Sequence, residues 1–161
     1  MNEERHHGHD LKVTSLLTRD HEAMRRLLER VEDADTPERK RHCLRDLERA
    51  FLAHEVAEER VLYPAIEGGP AGLLADRGVR AHAEARDVLE DLSRTSPLAR
   101  GYDAKVAELV ALLRMHLATE EQHMFPEVRR RLPAQRLREL GADLEAYYDR
   151  PIVDDETDWN G

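Results

Sequence analysis

The sequence predicts an all-α fold, an antiparallel up-down-up-down four-helix bundle followed by a short C-terminal helix. Charged residues make up 37% of the 161 residues and aromatic residues only 4%, a composition that suits amphipathic helices better than strands. Apolar residues recur at spacings of three and four, as on one face of a helix. No alternating apolar run indicates a strand. Long helices joined by short turns pack as such a bundle.

Helix-starting and helix-breaking residues set the limits of each element. Thr36 suits an N-cap and Pro37 a first helical residue. The segment Glu67–Gly72 (EGGPAG) interrupts the next helix, and the turn at residues 95–97 and Pro133 interrupt the pattern further on. The predicted helices are residues 13–33, 37–66, 73–94, a fourth that follows Pro97 and ends near 131, and 134–148.

The chain is long enough for one domain, which we predict over residues 13–150. Residues 1–12 are polar and predict a disordered arm, and residues 151–161 form an acidic tail. The only cysteine, Cys43, excludes an internal disulfide and makes a cysteine-based zinc site a poor hypothesis.

Charge and hydropathy limit the partners and the location that we expect. The formal net charge is −9, and such a surface repels phosphate backbones, so we expect no nucleic-acid partner. No apolar run approaches the ~20 residues of a membrane span, and the N-terminus has no apolar signal-peptide core. These features predict a cytoplasmic protein with no membrane contact. They do not identify a protein partner.

An internal repeat is the strongest signal in the chain. Residues 54–64 read HEVAEERVLYP and residues 116–126 read HLATEEQHMFP, with an offset of 62. Both contain H-x-x-x-E, a second glutamate, and an aromatic residue before proline. The aligned pairs are His54 with His116, Glu58 with Glu120, Glu59 with Glu121, Tyr63 with Phe125, and Pro64 with Pro126.

Each repeat is preceded by a helix that carries one histidine. His21 lies 33 residues before His54, and His82 lies 34 residues before His116. Helical spacing places each histidine, and each H-x-x-x-E pair, on the apolar face of its helix. The sequence therefore predicts six polar side chains in the middle of the bundle, which are His21, His54, Glu58, His82, His116 and Glu120.

This set predicts a metal site. Two buried carboxylates are costly when they are ionised and unpaired, and a cation satisfies them together with the imidazoles. A carboxylate can bridge two ions while imidazoles cap each one. Nitrogen and oxygen donors suit iron, manganese or zinc. Six protein ligands are too many for tetrahedral zinc and too few to saturate two octahedral ions, which favours a dinuclear site with open positions.

The pattern leaves open whether two further residues contribute to the site. His123 is predicted to face inward one turn after Glu120, either as a ligand or as a core histidine, although its repeat partner is Val61. Glu55 is a candidate extra ligand, although its repeat partner is Leu117. We interpret Glu59 and Glu121 as charges behind the ligands or on the surface, and Tyr63 and Phe125 as residues that shape the ends of the site.

These residues resemble the hemerythrin-like, or HHE cation-binding, family. The family pattern H … H-x-x-x-E … H … H-x-x-x-E is met over about residues 13–131. The resemblance implies two non-heme iron ions with an oxo or hydroxo bridge, and manganese or zinc less readily. It implies four terminal histidines and two bridging glutamates, which are His21, His54, His82 and His116 with Glu58 and Glu120.

One departure from the family's oxygen carriers bears on function. Those proteins have H-x-x-x-H on the third helix, whereas Arg86 stands four residues after His82. A missing histidine favours an open metal position that binds dioxygen, peroxide or nitric oxide. The resemblance thus implies a protein that binds and reduces or decomposes dioxygen or peroxide, with catalase- or peroxidase-like activity if it is an enzyme.

Three other interpretations stay open. A non-catalytic sensor of oxygen, nitric oxide, redox state or iron, or an iron-handling protein, could use the same site. A ferritin-like oxidase requires E-x-x-H on two helices, and in this chain only Glu120 with His123 forms an inward-facing one. A bundle without metal is the remaining alternative.

Overall fold

The computed structural model describes residues 11–149, and this part of the chain is helical with no strands. Of the predicted arm, only Leu11 and Lys12 belong to it, and the predicted acidic tail lies outside the described residues. The α-helices are α1 (Val13–Asp33), α2 (Pro37–Ala57), α3 (Gly69–Ser93), α4 (Tyr102–Thr119), α5 (Phe125–Arg131) and α6 (Ala134–Tyr148).

Four helices form the bundle, which confirms the predicted fold class. Helix α1 packs on α2 and α4, and α3 packs on α4 and α2, which is the cyclic order of an up-down-up-down bundle. The short α6 lies against α1 and α2 on the outside. Within residues 11–149 no helix combines the length and apolarity that crossing a membrane requires.

Two predicted helix starts are displaced in the structure. Helix α3 begins at Gly69, four residues before the predicted start, because Pro70 fits the first turn of a helix and does not break it. Helix α4 begins only at Tyr102, after Gly101, which has a φ of 87° that favours glycine. The predicted cap of α2 is confirmed, since the Thr36 side chain accepts a hydrogen bond from the Arg39 amide.

The second and fourth predicted helices each contain a π-helical turn that the spacing did not predict. These turns cover Glu58–Leu62 and Glu120–Met124. The first is followed by a 3₁₀ turn, Tyr63–Ile66, and the second by α5. Proline cannot donate to the carbonyl four residues earlier, and Pro64 and Pro126 follow the two turns at the same distance. Each π turn begins at the glutamate of an H-x-x-x-E pair. Its wider turn changes the direction in which the side chains that follow point.

The apolar core is divided into two clusters by a polar layer. One cluster includes Met24, Phe51 and Leu89, and the other includes Leu17, Leu62 and Phe125. On each of the four bundle helices, the predicted metal-binding residues lie between a segment of one cluster and a segment of the other. The two clusters thus enclose the polar layer from both ends.

Candidate metal centre

The structure brings all six predicted side chains together inside the bundle. Their exposed fractions are 7% or less. Helix α1 carries His21, α3 carries His82, and the two repeats provide the other four at the junctions between α-helix and π turn. The complete set is His21, His54, Glu58, His82, His116 and Glu120.

The first group of donor atoms consists of His21, His54, Glu58 and Glu120, whose ligand atoms lie within 4.8 Å of one another. The Nε2 atoms of the two histidines face each other at 3.2 Å. Glu58 Oε1 lies 3.1 Å from His54 Nε2, and Glu120 Oε1 lies 3.5 Å from His21 Nε2. These four atoms converge on a common centre.

The second group consists of Glu58, His82 and His116. The two Nε2 atoms lie 2.9 Å apart, and Glu58 Oε2 lies 3.2 Å from that of His82. Glu58 therefore directs one oxygen toward each histidine pair. Glu120 Oε1 also lies 2.9 Å from His116 Nε2, so each of the two carboxylates lies close to both histidine pairs.

The unsatisfied polar atoms of this cluster fit a cation. Within residues 11–149, the buried Oε1 atoms of Glu58 and Glu120 have no hydrogen-bond partner, which is rare for buried oxygens. Each pair of facing imidazole nitrogens shares one hydrogen when both rings are neutral, so in each pair one nitrogen is the donor and the other the acceptor. Oxygen and nitrogen atoms that converge on common centres are the arrangement that a metal ion satisfies, and the donor set has no sulfur.

Without metal, protons take the place of the cation in the electrostatics of the cluster. Burial acts to lower the pKa of His54, but Glu58 and the nearby carboxylates raise it to about 10. Burial likewise acts to lower the pKa of His116, but Glu120 raises it to about 10. Burial acts to raise the pKa of Glu58, whereas His54 and the other histidines hold it well below its usual range.

Carboxylates lie on the far sides of two of the histidines. His82 Nδ1 lies 2.9 Å from Glu59 Oε1, and His21 Nδ1 lies 3.5 Å from Glu121 Oε1. Metal-binding histidines commonly have such a partner, which orients the ring. Glu59 and Glu121, which are repeat mates, thus each lie behind a histidine of the cluster, Glu59 in a hydrogen bond with it and Glu121 at a longer distance without one.

Helix α6 takes part in the support of His54. The Tyr148 hydroxyl donates to Asp20 Oδ2 at 2.6 Å, and the same oxygen lies 3.6 Å from His54 Nδ1. Burial and the charge of Asp20 raise the pKa of Tyr148, so its hydroxyl stays a donor at neutral pH. The short C-terminal helix therefore contacts the site through one carboxylate.

Tyr63 contacts the site more closely than the sequence predicted. Its ring stacks on His82 at 5.9 Å between centroids, as Phe125 stacks on His21 at 5.4 Å. Unlike Phe125, it carries a hydroxyl, which donates to Glu58 Oε2 at 3.1 Å and lies 3.4 Å from Glu120 Oε2. The only sign of this contact in the sequence was that the first repeat has a tyrosine where the second has a phenylalanine.

Gly78 leaves room for the Tyr63 ring. A Cβ at this position would lie 2.9 Å from Tyr63 Cζ and closer still to the hydroxyl. We expect Gly78→Ala to lower the free energy of unfolding by about 1–3 kcal/mol through overpacking. We expect a smaller loss in a Tyr63→Phe background, because the closest contact is then absent. Urea unfolding of the four proteins measures this, and equal losses in both backgrounds would contradict the contact.

The structure gives different positions to the two remaining candidate ligands, His123 and Glu55. His123 is exposed, so its predicted inward orientation is wrong: the π turn shifts the register and buries Met124 instead. The structure therefore does not bring His123 to the cluster. Glu55 is 1% exposed, and its carboxylate lies on the outer side of His82, where it groups with Glu59 and pairs with Arg86 at 3.3 Å.

The fold and the site together define a metal-binding helical bundle with nitrogen and oxygen donors. The chain matches the family described as Hemerythrin HHE cation binding domain over residues 12–128. The chain belongs to this hemerythrin family.

Comparison with individual proteins adds one relative. A curated protein named DNA nickase, from Nostoc sp. (strain PCC 7120 / SAG 25.82 / UTEX 2576), is 22% identical over 142 residues, which are 85% of this chain and 39% of the relative. The chain thus spans about two fifths of the length of that protein. No solved structure gives a significant match.

Proposed function

We propose that the chain holds two non-heme iron ions and uses them to bind and reduce or decompose dioxygen or peroxide. The observation that carries the proposal is the pair of donor groups that share Glu58. Each histidine pair would hold one ion, and the two carboxylates between the pairs would hold both. The histidine pairs are His21 with His54 and His82 with His116, and the bridges are Glu58 and Glu120.

The donor chemistry supports iron over the alternatives. Manganese prefers oxygen donors, and structural zinc takes four ligands in a tetrahedron. Four imidazoles and two carboxylates suit two iron ions and leave positions for an exogenous ligand. When bound, the two ions would supply the electrons that dioxygen or peroxide takes up.

The protein's own residues would hold the charge and the protons of the reaction. The carboxylates of Glu58 and Glu120 offset the cationic charge inside an apolar enclosure. Burial and these two carboxylates raise the pKa of Tyr63, so the phenol keeps its proton at neutral pH. Its hydroxyl, 3.1 Å from Glu58 Oε2, would hold this proton in a hydrogen bond to the Glu58 carboxylate.

Arg86 supports reduction over reversible oxygen carriage. It stands where the resemblance to oxygen carriers requires a further histidine, and it pairs instead with Glu55 at 3.3 Å. Its side chain is 45% exposed and does not replace the missing imidazole. An ion held on this side would therefore have one protein ligand fewer.

The test is peroxide turnover by the iron-loaded protein. We expect oxygen evolution from hydrogen peroxide well above that of the same iron free in solution, and its loss in His54→Ala. His42→Ala is the matched control, because the His42 side chain is 64% exposed and lies outside the cluster. Turnover in His54→Ala equal to that of the control would contradict the proposal.

A sensor or iron-handling role is the second candidate, and the closure of the site favours it. All six side chains are 7% exposed or less, and a closed site slows ligand exchange. Loaded protein that changes its spectrum with dioxygen, peroxide or nitric oxide, but evolves no oxygen from peroxide, would support this role over the catalytic one.

We also propose that the chain itself binds no nucleic acid. Its net charge of −9 supports this. The Nostoc relative is named a DNA nickase, but the chain covers only 39% of its length. Fluorescence anisotropy with a labelled DNA duplex at low salt tests the proposal, and salt-sensitive binding would contradict it.

A further inference from the structure

His82 has two chemically distinct sides. Its Nε2 faces Glu58 and His116 inside the bundle, whereas its Nδ1 faces Glu59 on the outside. Glu55, one helical turn before Glu59, completes a group whose three ligand atoms lie within 4.8 Å of one another. This group is separate from the inner donors except for the shared imidazole.

An unpartnered buried oxygen belongs to this outer group. Glu55 is 1% exposed, and one of its oxygens lies 3.3 Å from Arg86 Nη1. The other oxygen, Oε2, is buried and has no hydrogen-bond partner among residues 11–149. A buried carboxylate oxygen without a donor costs free energy, and a cation would satisfy it.

Glu59 connects the outer group to an acidic cavity, because it belongs to the group and also lines the cavity. The cavity has a volume of about 630 Å³ and lies between the 3₁₀ turn, the glycine turn after it and α3. Tyr63 lines it, and three carboxylates do so as well, which belong to Glu59, Glu67 and Asp76. The lining residues include no lysine or arginine. Such a cleft raises the local concentration of cations.

The repeat shows that this arrangement exists on one side only. Behind His21, the mate of Glu59 is Glu121, and Arg25 holds it with both guanidinium nitrogens. The mate of Glu55 there is Leu117, which is fully buried. The His21 side therefore has one carboxylate, with both oxygens paired with an arginine. The His82 side has two, and Glu55 pairs with Arg86 through one oxygen only.

We propose that Glu55, Glu59 and His82 Nδ1 form a transit site for a divalent transition-metal cation on its way from the acidic cavity to the inner site. The proposal rests on the proposed metal function. When His82 binds an inner ion through Nε2, its Nδ1 carries a proton and donates it to Glu59. The outer and inner positions are therefore filled in turn, and the transit site is empty in the loaded protein.

The experiment is stopped-flow loading of the metal-free full chain with Co²⁺, followed by its visible absorption. A transit site predicts that the loading rate saturates as the Co²⁺ concentration rises. We expect Glu59→Gln and Glu55→Gln each to slow loading by about tenfold, as expected for a lost electrostatic guide, and to abolish saturation. Glu55→Gln should still reach the wild-type cobalt content, whereas Glu59→Gln, which also removes the partner of His82 Nδ1, should reach it only at a higher Co²⁺ concentration.

Glu121→Gln is the matched control, because it also removes a carboxylate behind an inner histidine. It should weaken final binding without abolishing saturation. Equal slowing by Glu121→Gln, or wild-type loading in both Glu55→Gln and Glu59→Gln, would overturn the transit site and leave the proposed function intact. A wild-type protein that takes up no Co²⁺ would overturn both proposals.

Discussion

Removal of bound metal with a chelator is expected to lower the melting temperature by about 10 °C or more. A ligand present at a thousand times its dissociation constant stabilises a folded protein by about 4 kcal/mol, and in a chain of this size each kcal/mol shifts the melting temperature by about 2–4 °C. The effect is large here because the metal would satisfy six buried polar side chains between two apolar clusters.

Calorimetry of the loaded protein with and without chelator measures this shift. The control is the double variant Glu58→Gln and Glu120→Gln, which keeps the size of both side chains and removes their charge. We expect the melting temperature of the control to be insensitive to the chelator. A shift of equal size in the control would place the metal elsewhere in the chain.

The second large effect is a stabilisation by metal that grows with pH, because the metal-free protein loses stability as the pH rises and the metal-loaded protein does not. In the metal-free protein the pKa values of His54 and His116 are raised to about 10. Their contribution to stability is therefore fully present below the unfolded value of about 6.5 and is lost as the pH rises through about 10. The lowered pKa of Glu58 contributes stability above its ordinary value, which is lost as the pH falls through the folded one.

Metal binding must displace the protons from His54 and His116. If two protons leave, the apparent affinity rises about 100-fold per pH unit below the folded pKa, which is about 3 kcal/mol. The stabilisation that metal provides should therefore grow between about pH 6 and about pH 9, while the metal-free protein weakens over the same range.

Melting curves at a buffered Co²⁺ concentration, with and without the metal, measure this divergence. The gap between the two melting temperatures should widen as the pH rises. A gap that stays constant or narrows would show that the histidines of the cluster are not protonated in the metal-free protein, or that they do not bind the metal.

The sequence was sufficient to predict the positions of the inner donors. Helical spacing and the 62-residue repeat placed His54 with Glu58 and His116 with Glu120 on inward faces, and the structure buries all four. The same spacing placed His21 and His82. His21 and His82 lie within uninterrupted α-helices, and the other four residues lie at or before the first residue of a π turn, so the α-helical period held for every one of them.

Beyond those turns the helical period no longer predicts which way a side chain points. For this reason the prediction for His123 is wrong. A period of 3.6 residues brings it inward, but the turn that begins at Glu120 leaves it exposed. The contacts of Tyr63 and the room that Gly78 provides depend on packing between α3 and the first repeat. The pairing of Glu55 with Arg86 likewise depends on how α2 and α3 face each other, which spacing within one helix does not encode.

The most direct test of the central claim is the metal content of the untagged protein, measured together with its visible spectrum. We predict about two iron ions per chain, one for each donor group around Glu58, and charge-transfer bands that shift when azide or peroxide is added. One zinc ion per chain, or no metal after anaerobic reconstitution with iron, would contradict the dinuclear site.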